Sequence, residues 1–357
     1  MTATKRPDLT VLVMGVGGNV SQGILKALRL SSLSCRVIGA CISPLSLGLY
    51  TTDAAYVSPR ADDSGFVPWL IDLCEREGVD AILSGAEPVL SALSAHAPEI
   101  REGTGAVSVV SPPDVFEVGQ DKLLTCRWLE ANGLPHPRFA DAEDGGAVAE
   151  LVAQHGFPLI AKPRRGKGAE GVALIRGEAE LAPVADRKDL VIQEHLGDPE
   201  EEYTAGCLCD SAGELLGTML LRRALREGTT VFAEAGEFPA VRGEVERIVR
   251  ALAPKGPCNV QLRLAAGRAV PFELNVRFSG TTPVRARLGF NEVEAALRHF
   301  VLGEPATELP PVTEGKVIRY WNEMYVSEDA FAELSAHGRL NDPKRHPLIV
   351  EDWGVDR

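Results

Sequence analysis

CNVQLRLAAGRAVPFELNVRFSG, Cys258 to Gly280, reads as two strands joined by the turn Ala265 to Arg268. Side chains two apart on a strand share a face, so Glu273 and Asn275 point the same way. Gln261 on the partner strand can meet them across the ladder. Oxygen donors of this kind suit Mg²⁺ held by one or two side chains and the phosphates of a nucleotide. Arg277 continues the spacing and adds a cation for an anionic reacting group. A solvated polar face is the alternative. It fits poorly, because the run is bounded by the apolar alternation Val270 to Leu274 and ends in SGTTP.

Working upstream, EEYTAGCLCDSAGELLGTMLLRRA (Glu201 to Ala224) repeats the pattern around the turn Asp210 to Gly213. Cys207 and Cys209 alternate with apolar positions, as in a strand of buried thiols rather than a metal site. Arg222, Arg223 and Arg226 end its second strand, and an arginine there suits bidentate binding of a substrate carboxylate. LVIQEHL (Leu190 to Leu196) is a further strand, and residues 178–188 read as helical. FPLIAKP and VALIR flank the loop RRGKGAEGV, giving a hairpin with a long tip. Lys162 ends the first of these strands, and the loop holds Gly166, Gly168, Gly171, Arg164, Arg165 and Lys167. Glycines let backbone N–H groups turn towards phosphate oxygens while the cations neutralise charge. A strand follows rather than a helix, so this is not a Walker A loop. Taken alone, a flexible basic loop is an equal reading.

Residues 9–111 alternate strands (Leu9–Val16, Arg36–Ile42, Ala54–Val57, Ala81–Ser84, Val107–Ser111) with helices near Ser21–Leu30, Gly65–Glu77 and Pro88–Ala97. That alternation is the mark of an open, mostly parallel α/β sheet with helices on both faces. Pro112-Pro113 ends it. The turn after the first strand, GVGGNV, lacks a dinucleotide fingerprint, since Val20 stands where the third glycine belongs. No acidic residue closes Cys35 to Pro44 either.

Hydrophobic residues make up 45% of the 357 and charged residues 24%, a globular composition. A net charge of −13 argues against a nucleic-acid partner held mainly by phosphate contacts. The seven cysteines contain no C-x-x-C pair. Their odd number and the lack of a secretory leader point to a reducing cytoplasm. No apolar run approaches the ~20 residues of a membrane helix, so no membrane partner is expected.

The ordered set Asp121-Lys122, then G-x-P-x-P (Gly133 to Pro137), then Lys162-Pro163 with its glycine loop, then QEHL, EEYT and NVQ…FELNVRFSG, resembles the ATP-grasp superfamily over residues 9–302. It is most similar to the carbamoyl-phosphate-synthase-like branch of carboxylate–amine ligases. The resemblance implies an α/β chain, α+β in its C-terminal part: an ATP-grasp fold behind an N-terminal Rossmann-like pre-ATP-grasp domain. Its implied segments are 1–112, 113–197 with the glycine-loop lid, 198–304 with the metal and catalytic face, and a capping 305–357. ATP is the implied nucleotide, with Mg²⁺ or alternatively Mn²⁺.

By the same resemblance Lys122 and Lys162 contact phosphates, and the loop Arg164 to Gly171 closes over them. Glu194 and the backbone of His195 and Leu196 read adenine, and Glu202 takes the ribose hydroxyls. Gln261, Glu273 and Asn275 hold the metal, although many relatives carry an acid at the position of Gln261. Arg277 stabilises the transferred phosphoryl group, with Lys162, Arg222 and Arg223 as further catalytic candidates. The first sheet then binds no dinucleotide. Its turn Gly17, Gly18 and Asn19 walls the substrate cleft, together with Glu87, Arg226 and Ser279, and a methyl at Gly17 is expected to crowd that side. The expected reaction joins a small-molecule carboxylate to an amine, and the protein is expected to admit a homodimer. A kinase on the same scaffold, or a nucleotide-binding module without turnover, are the competing readings. The identity of either substrate stays open.

Overall fold

The computed structural model describes residues 8–166, 170–185, 187–197, 199–346 and 348–350. In the N-terminal part β1 (Leu9–Met14), α1 (Asn19–Arg29), β2 (Cys35–Cys41), β3 (Ala54–Val57), α2 (Phe66–Glu77), β4 (Ala81–Ser84), α3 (Glu87–Thr104) and β5 (Val107–Ser108) follow one another. The five strands are parallel in the order β3-β2-β1-β4-β5. Alternation along a strand sends its side chains to two different cores. Val11 and Val13 join the layer containing α1, while Leu12 and Met14 pack with Leu70, Leu73 and Leu93 of α2 and α3.

Next come α4 (Pro113–Gln120), α5 (Lys122–Ala131), β6 (Phe139–Asp141), α6 (Gly145–His155), β7 (Leu159–Pro163), β8 (Ala173–Ile175), α7 (Glu178–Leu181) and β9 (Leu190–Glu194). Their strands form an antiparallel sheet, β6-β9-β7-β8, backed by Val148 and Leu151 of α6. The helix expected over residues 178–188 stops at Leu181, because Pro183 lacks the N–H that another turn requires.

A larger antiparallel sheet is built from β10 (Glu202–Cys209), β11 (Leu215–Arg226), β12 (Thr229–Ala235), α8 (Pro239–Leu252) packed on one face, β13 (Gly256–Ala265) and β14 (Arg268–Asn275). Every residue of β10 is buried, the thiols of Cys207 and Cys209 included. After α9 (Thr282–Arg287) and α10 (Glu292–Phe300) the chain forms β15 (Lys316–Ile318), β16 (Met324–Val326), α11 (Glu328–His337), β17 (Arg339–Asn341) and β18 (Leu348–Val350). The C-terminal segment does more than cap: β15 adds to the edge of the large sheet beside β12, and β17 runs antiparallel beside β3 of the first. No helix among the described residues is long and apolar enough to cross a membrane.

The other face of the large sheet covers a buried ion pair. Arg285 and Glu292 are each 1% exposed, joined by Nη2–Oε1 at 2.5 Å and Nε–Oε2 at 2.7 Å. A Cβ on Gly206 of β10 would meet Arg285 Nε at 2.1 Å, so the guanidinium lies flat on that glycine. Removing one partner strands a buried charge. Glu292→Ala should therefore destabilise by roughly 3–5 kcal/mol, and Gly206→Ala should also destabilise by displacing the guanidinium. Urea unfolding midpoints check both, and wild-type midpoints would show that the pair is not a structural keystone.

Candidate active site

The site is built where β7, β10, β11 and the β13–β14 hairpin meet. In the hairpin Gln261 stands opposite Glu273, and Asn259 opposite Asn275. Strand alternation therefore puts all four on one face, as expected for the three predicted from sequence. Asn275 is 4% exposed and Asn259 1%, and the Nδ2 of each is buried with no hydrogen-bond partner. Unpaired buried amides of this kind require an explanation, and a polar ligand supplies one.

Lys162, near the end of β7, faces this hairpin. Its Nζ lies 4.8 Å from the centre of the Phe272 ring. Burial pushes its pKa down from 10.5 to about 8, with Glu273 the strongest opposing influence and Lys122 and Arg263 pushing it further down. His195, just past β9, is likewise lowered by burial and then by Arg263 and Lys162. Lys122 and Arg263 thus lie close enough to Lys162 to repel it, with Glu273 its main counter-charge.

Other predicted residues already have internal partners. Both oxygens of Glu202 are occupied: Arg223 donates to Oε1 at 2.8 Å and Arg263 to Oε2 at 2.9 Å. Arg223 also donates to Oε1 of Gln261 at 2.6 Å. Arg263 Nη1 donates to the carbonyl of Leu196 at 2.8 Å. Successive strand residues face opposite ways, so Arg222 leaves the cluster and pairs with Glu234 at 2.9 Å. Arg226 is exposed at the end of β11. Glu194 accepts from the Arg138 amide at 2.9 Å and stands 3.5 Å from the His155 ring.

The glycine loop is tied to α5 through Asp121. This carboxylate caps the helix, accepting from the amides of Leu123 and Leu124, and takes Arg164 Nη2 at 2.7 Å. Burial raises its pKa, but Arg164 and the helix amides outweigh that and hold it below the usual carboxylate range. Lys122 donates from Nζ to the Gly166 carbonyl at 3.2 Å. Gly171 adopts φ +70°, and a Cβ there would meet Pro163 Cγ at 2.9 Å. Gly168 lies outside the described residues.

Arg277 and Glu87 bring the first sheet to the hairpin. β14 ends at Asn275, and Arg277 turns to Glu87 Oε1 at 2.9 Å. A small cavity beside this pair is lined by Glu87, Phe116, Gln120, Asn275 and Arg277. On the far side of the loop, Ser279 is buried and accepts from Arg285 at 3.1 Å. Asn19, first residue of α1, accepts from Arg319 Nη2 at 2.9 Å. The turn itself corrects one expectation. A Cβ on Gly17 would meet Ser46 Oγ at 2.7 Å and Cys41 Sγ at 3.3 Å, so a methyl there crowds the protein's own loop. Gly18 caps α1 with extended backbone.

Sequence reading missed Asn259, Arg263, Phe272 and Arg319. Period-two counting back and forward from Gln261 would have found Asn259 and Arg263. Arg319 carries no local signal, because its partner Asn19 is 300 residues away.

Residues 11–107 match the family of PylC-like N-terminal domains. Residues 186–324 match the family of ATP-grasp domains in the biosynthetic pathway with Ter operon. The carbamoyl phosphate synthase large chain of Deinococcus radiodurans is 24% identical over 305 residues, which are 76% of this chain and 28% of that protein. The chain therefore spans little more than a quarter of that relative. Among solved structures, N5-carboxyaminoimidazole synthetase from Staphylococcus aureus complexed with ADP is similar with TM-score 0.68 and 15% identity, covering 92% of this chain and 85% of that one. The L-amino acid ligase from Bacillus licheniformis is similar with TM-score 0.66 and 17% identity, covering 93% and 86%. Two sheets of antiparallel strands around one polar face, behind a parallel sheet that abuts it through Glu87, are thus the ATP-grasp fold preceded by a pre-ATP-grasp domain.

Proposed function

We propose that this chain is an ATP-dependent ligase that activates a carboxylate as an acyl phosphate and joins it to an amine. The observation that carries the reading is the half-buried Lys162 beside Glu273, next to the face that Gln261, Glu273 and Asn275 share. A partly desolvated, under-neutralised cation next to oxygen donors suits a polyphosphate and its metal. The fold likeness to an ADP-bound synthetase and to an amino acid ligase supports it.

The donor set fits a metal unevenly. Glu273 offers a carboxylate and Asn275 an amide carbonyl, both hard oxygen donors. Gln261 Oε1 already accepts from Arg223 and has one lone pair left. Glu273 and Asn275 would therefore hold Mg²⁺, or Mn²⁺ in its place, with Gln261 the weaker contributor. When bound, the metal would offset charge on the transferring phosphoryl group.

The protein's own residues do the rest. Lys162 and Lys122 bind phosphate oxygens, and the loop carrying Gly166 and Gly171 covers them. His195 and the strand end Glu194 to Leu196 line the base side, and Glu202 orients Arg223 and Arg263 on the ribose and phosphate side. The substrate carboxylate oxygen attacks the γ-phosphorus, and the bond to the β-phosphate oxygen breaks, leaving ADP. Arg277, held by Glu87, stabilises charge on the transferred group. The amine nitrogen then attacks the acyl carbon, phosphate leaves, and the amine loses a proton. Exclusion of water by the covering loop protects the acyl phosphate.

The product assay tests the reaction class. With a panel of amino acids, small carboxylic acids and bicarbonate, ADP and phosphate should form stoichiometrically. AMP and pyrophosphate as products would refute an acyl phosphate.

Glu273→Gln should keep the wild-type melting temperature and lose about 10³-fold in turnover, as removal of a metal-holding carboxylate implies. Near-wild-type rates in the folded variant would remove Glu273 from the metal site.

Lys162 also sets a pH signature in the ligand-free protein. Its folded pKa of about 8 lies below the ordinary 10.5, so between those values the unfolded chain binds more protons. Stability then rises with pH across this window, and the penalty of the desolvated cation is fully present below it. Lys162→Met should abolish that rise, stabilise the free protein near neutral pH and lose nucleotide affinity. Melting curves across pH, with and without ADP, read all three.

A further inference from the structure

Arg319, just past β15, reaches from the C-terminal segment into the junction between the two halves of the molecule. Its backbone N–H donates to the Val231 carbonyl at 2.8 Å. Its guanidinium donates from Nη2 to Asn19 Oδ1 at 2.9 Å and from Nη1 to the Gly280 carbonyl at 3.4 Å. Asn19 in turn lies over Gly280, where a Cβ would meet Asn19 Nδ2 at 2.6 Å. One side chain therefore joins the start of α1, the loop after β14 and the tail.

The acceptors are both neutral. A guanidinium that serves only as a clamp is best answered by a carboxylate. Among the described residues Arg319 meets none, although it is partly buried, and burial is the one influence that lowers its pKa. Lys26 lies two turns along α1 from Asn19, and its pKa is lowered by burial, then by Arg319 and Arg29. Another cation nearby makes the local surplus larger. A guanidinium has five N–H donors in a fixed fork, of which these contacts use two. Partly desolvated positive charge with unused donors is costly unless an anion completes it.

Position supplies the reference point. Gly280 follows Arg277 by three residues, so their Cα atoms are at most about 11 Å apart. A small molecule can span that distance. We propose that Arg319 is a specificity-determining residue that anchors a carboxylate of the substrate other than the one activated, so that the activated substrate is a dicarboxylate, acidic amino acids such as glutamate included. This deepens the ligase reading and rests on it for the placement of the reacting carboxylate at Arg277.

The test separates the anchor from the clamp. Melting temperatures of the full chain are measured with succinate and with L-glutamate, without nucleotide, for wild type, Arg319→Gln, Arg319→Lys and Asn19→Asp. At least one of the two compounds should stabilise the wild type by mass action. Arg319→Gln should weaken that binding roughly 10- to 100-fold, as loss of charge-assisted hydrogen bonds implies, and Arg319→Lys should restore part of it. Asn19→Asp gives Arg319 an internal carboxylate, so it should keep or raise the ligand-free melting temperature and yet lose the response to both compounds. A merely structural tie predicts that this variant responds as the wild type does. No stabilisation of the wild type by either compound, an equal response in Arg319→Gln, or a wild-type response in Asn19→Asp would each overturn the anchor. ADP release over the substrate panel keeps the two readings apart. Release whose KM values are all unmoved by Arg319→Gln overturns the anchor and leaves the ligase. A carboxylate response lost in Arg319→Gln, without ADP release under any condition, supports the anchor and overturns the ligase.

Discussion

The ion pair of Arg285 and Glu292 holds the loop on which the site depends. Arg285 also donates to Thr281 Oγ1 at 2.7 Å and to Ser279 and Thr282 at 3.1 Å. Residues 279–282 are therefore fixed from below, between the strand that carries Glu273 and Asn275 and the helix that carries Arg285. Such a pair is costly to desolvate, and a well-packed apolar replacement could be equally stable. What it supplies here is position. Arg277 leaves this loop towards Glu87, and Gly280 presents its carbonyl to Arg319.

A second feature is the division of charge. Glu202 is fully engaged by Arg223 and Arg263, and Asp121 by Arg164 and the amides of α5. These pairs neutralise their partners and freeze their geometry. Lys162 is left with Glu273 as its main counter-charge, and Asn259 and Asn275 keep unpaired amides. Asn259 and Asn275 thus leave two buried amides open on one face, beside the satisfied groups of Glu202, Arg223 and Arg263. That contrast marks where a ligand belongs more sharply than the residue types alone.

Much of this was readable along the chain. The parallel sheet with helices on both faces and the hairpins about Asp210–Gly213 and Ala265–Arg268 are local patterns, and each appears in the structure. The shared face of Gln261, Glu273 and Asn275 followed from a period of two and a short turn. What resisted reading were the alternatives within a pattern. Neighbouring Arg222 and Arg223 looked interchangeable. Only the register of β11 against β10 and β12 sends one inward to Glu202 and the other outward to Glu234. A methyl at Gly17 looked set to crowd the substrate side, whereas it would meet the loop at Ser46.

The sequence by itself determined the strands of the first sheet, the hairpins and the hairpin face with its oxygen donors, because hydrophobic period and turn chemistry act over a few residues. Tertiary structure alone decided which charges stay unanswered. Ion pairs such as Arg277 with Glu87, separated by 190 residues, and the reach of Arg319 to Asn19 across 300, depend on how sheets abut. Electrostatic energy falls with distance in space and with local dielectric, and neither is written in sequence separation. The C-terminal segment therefore read as a cap, although folding carries one of its arginines to the first turn of the chain.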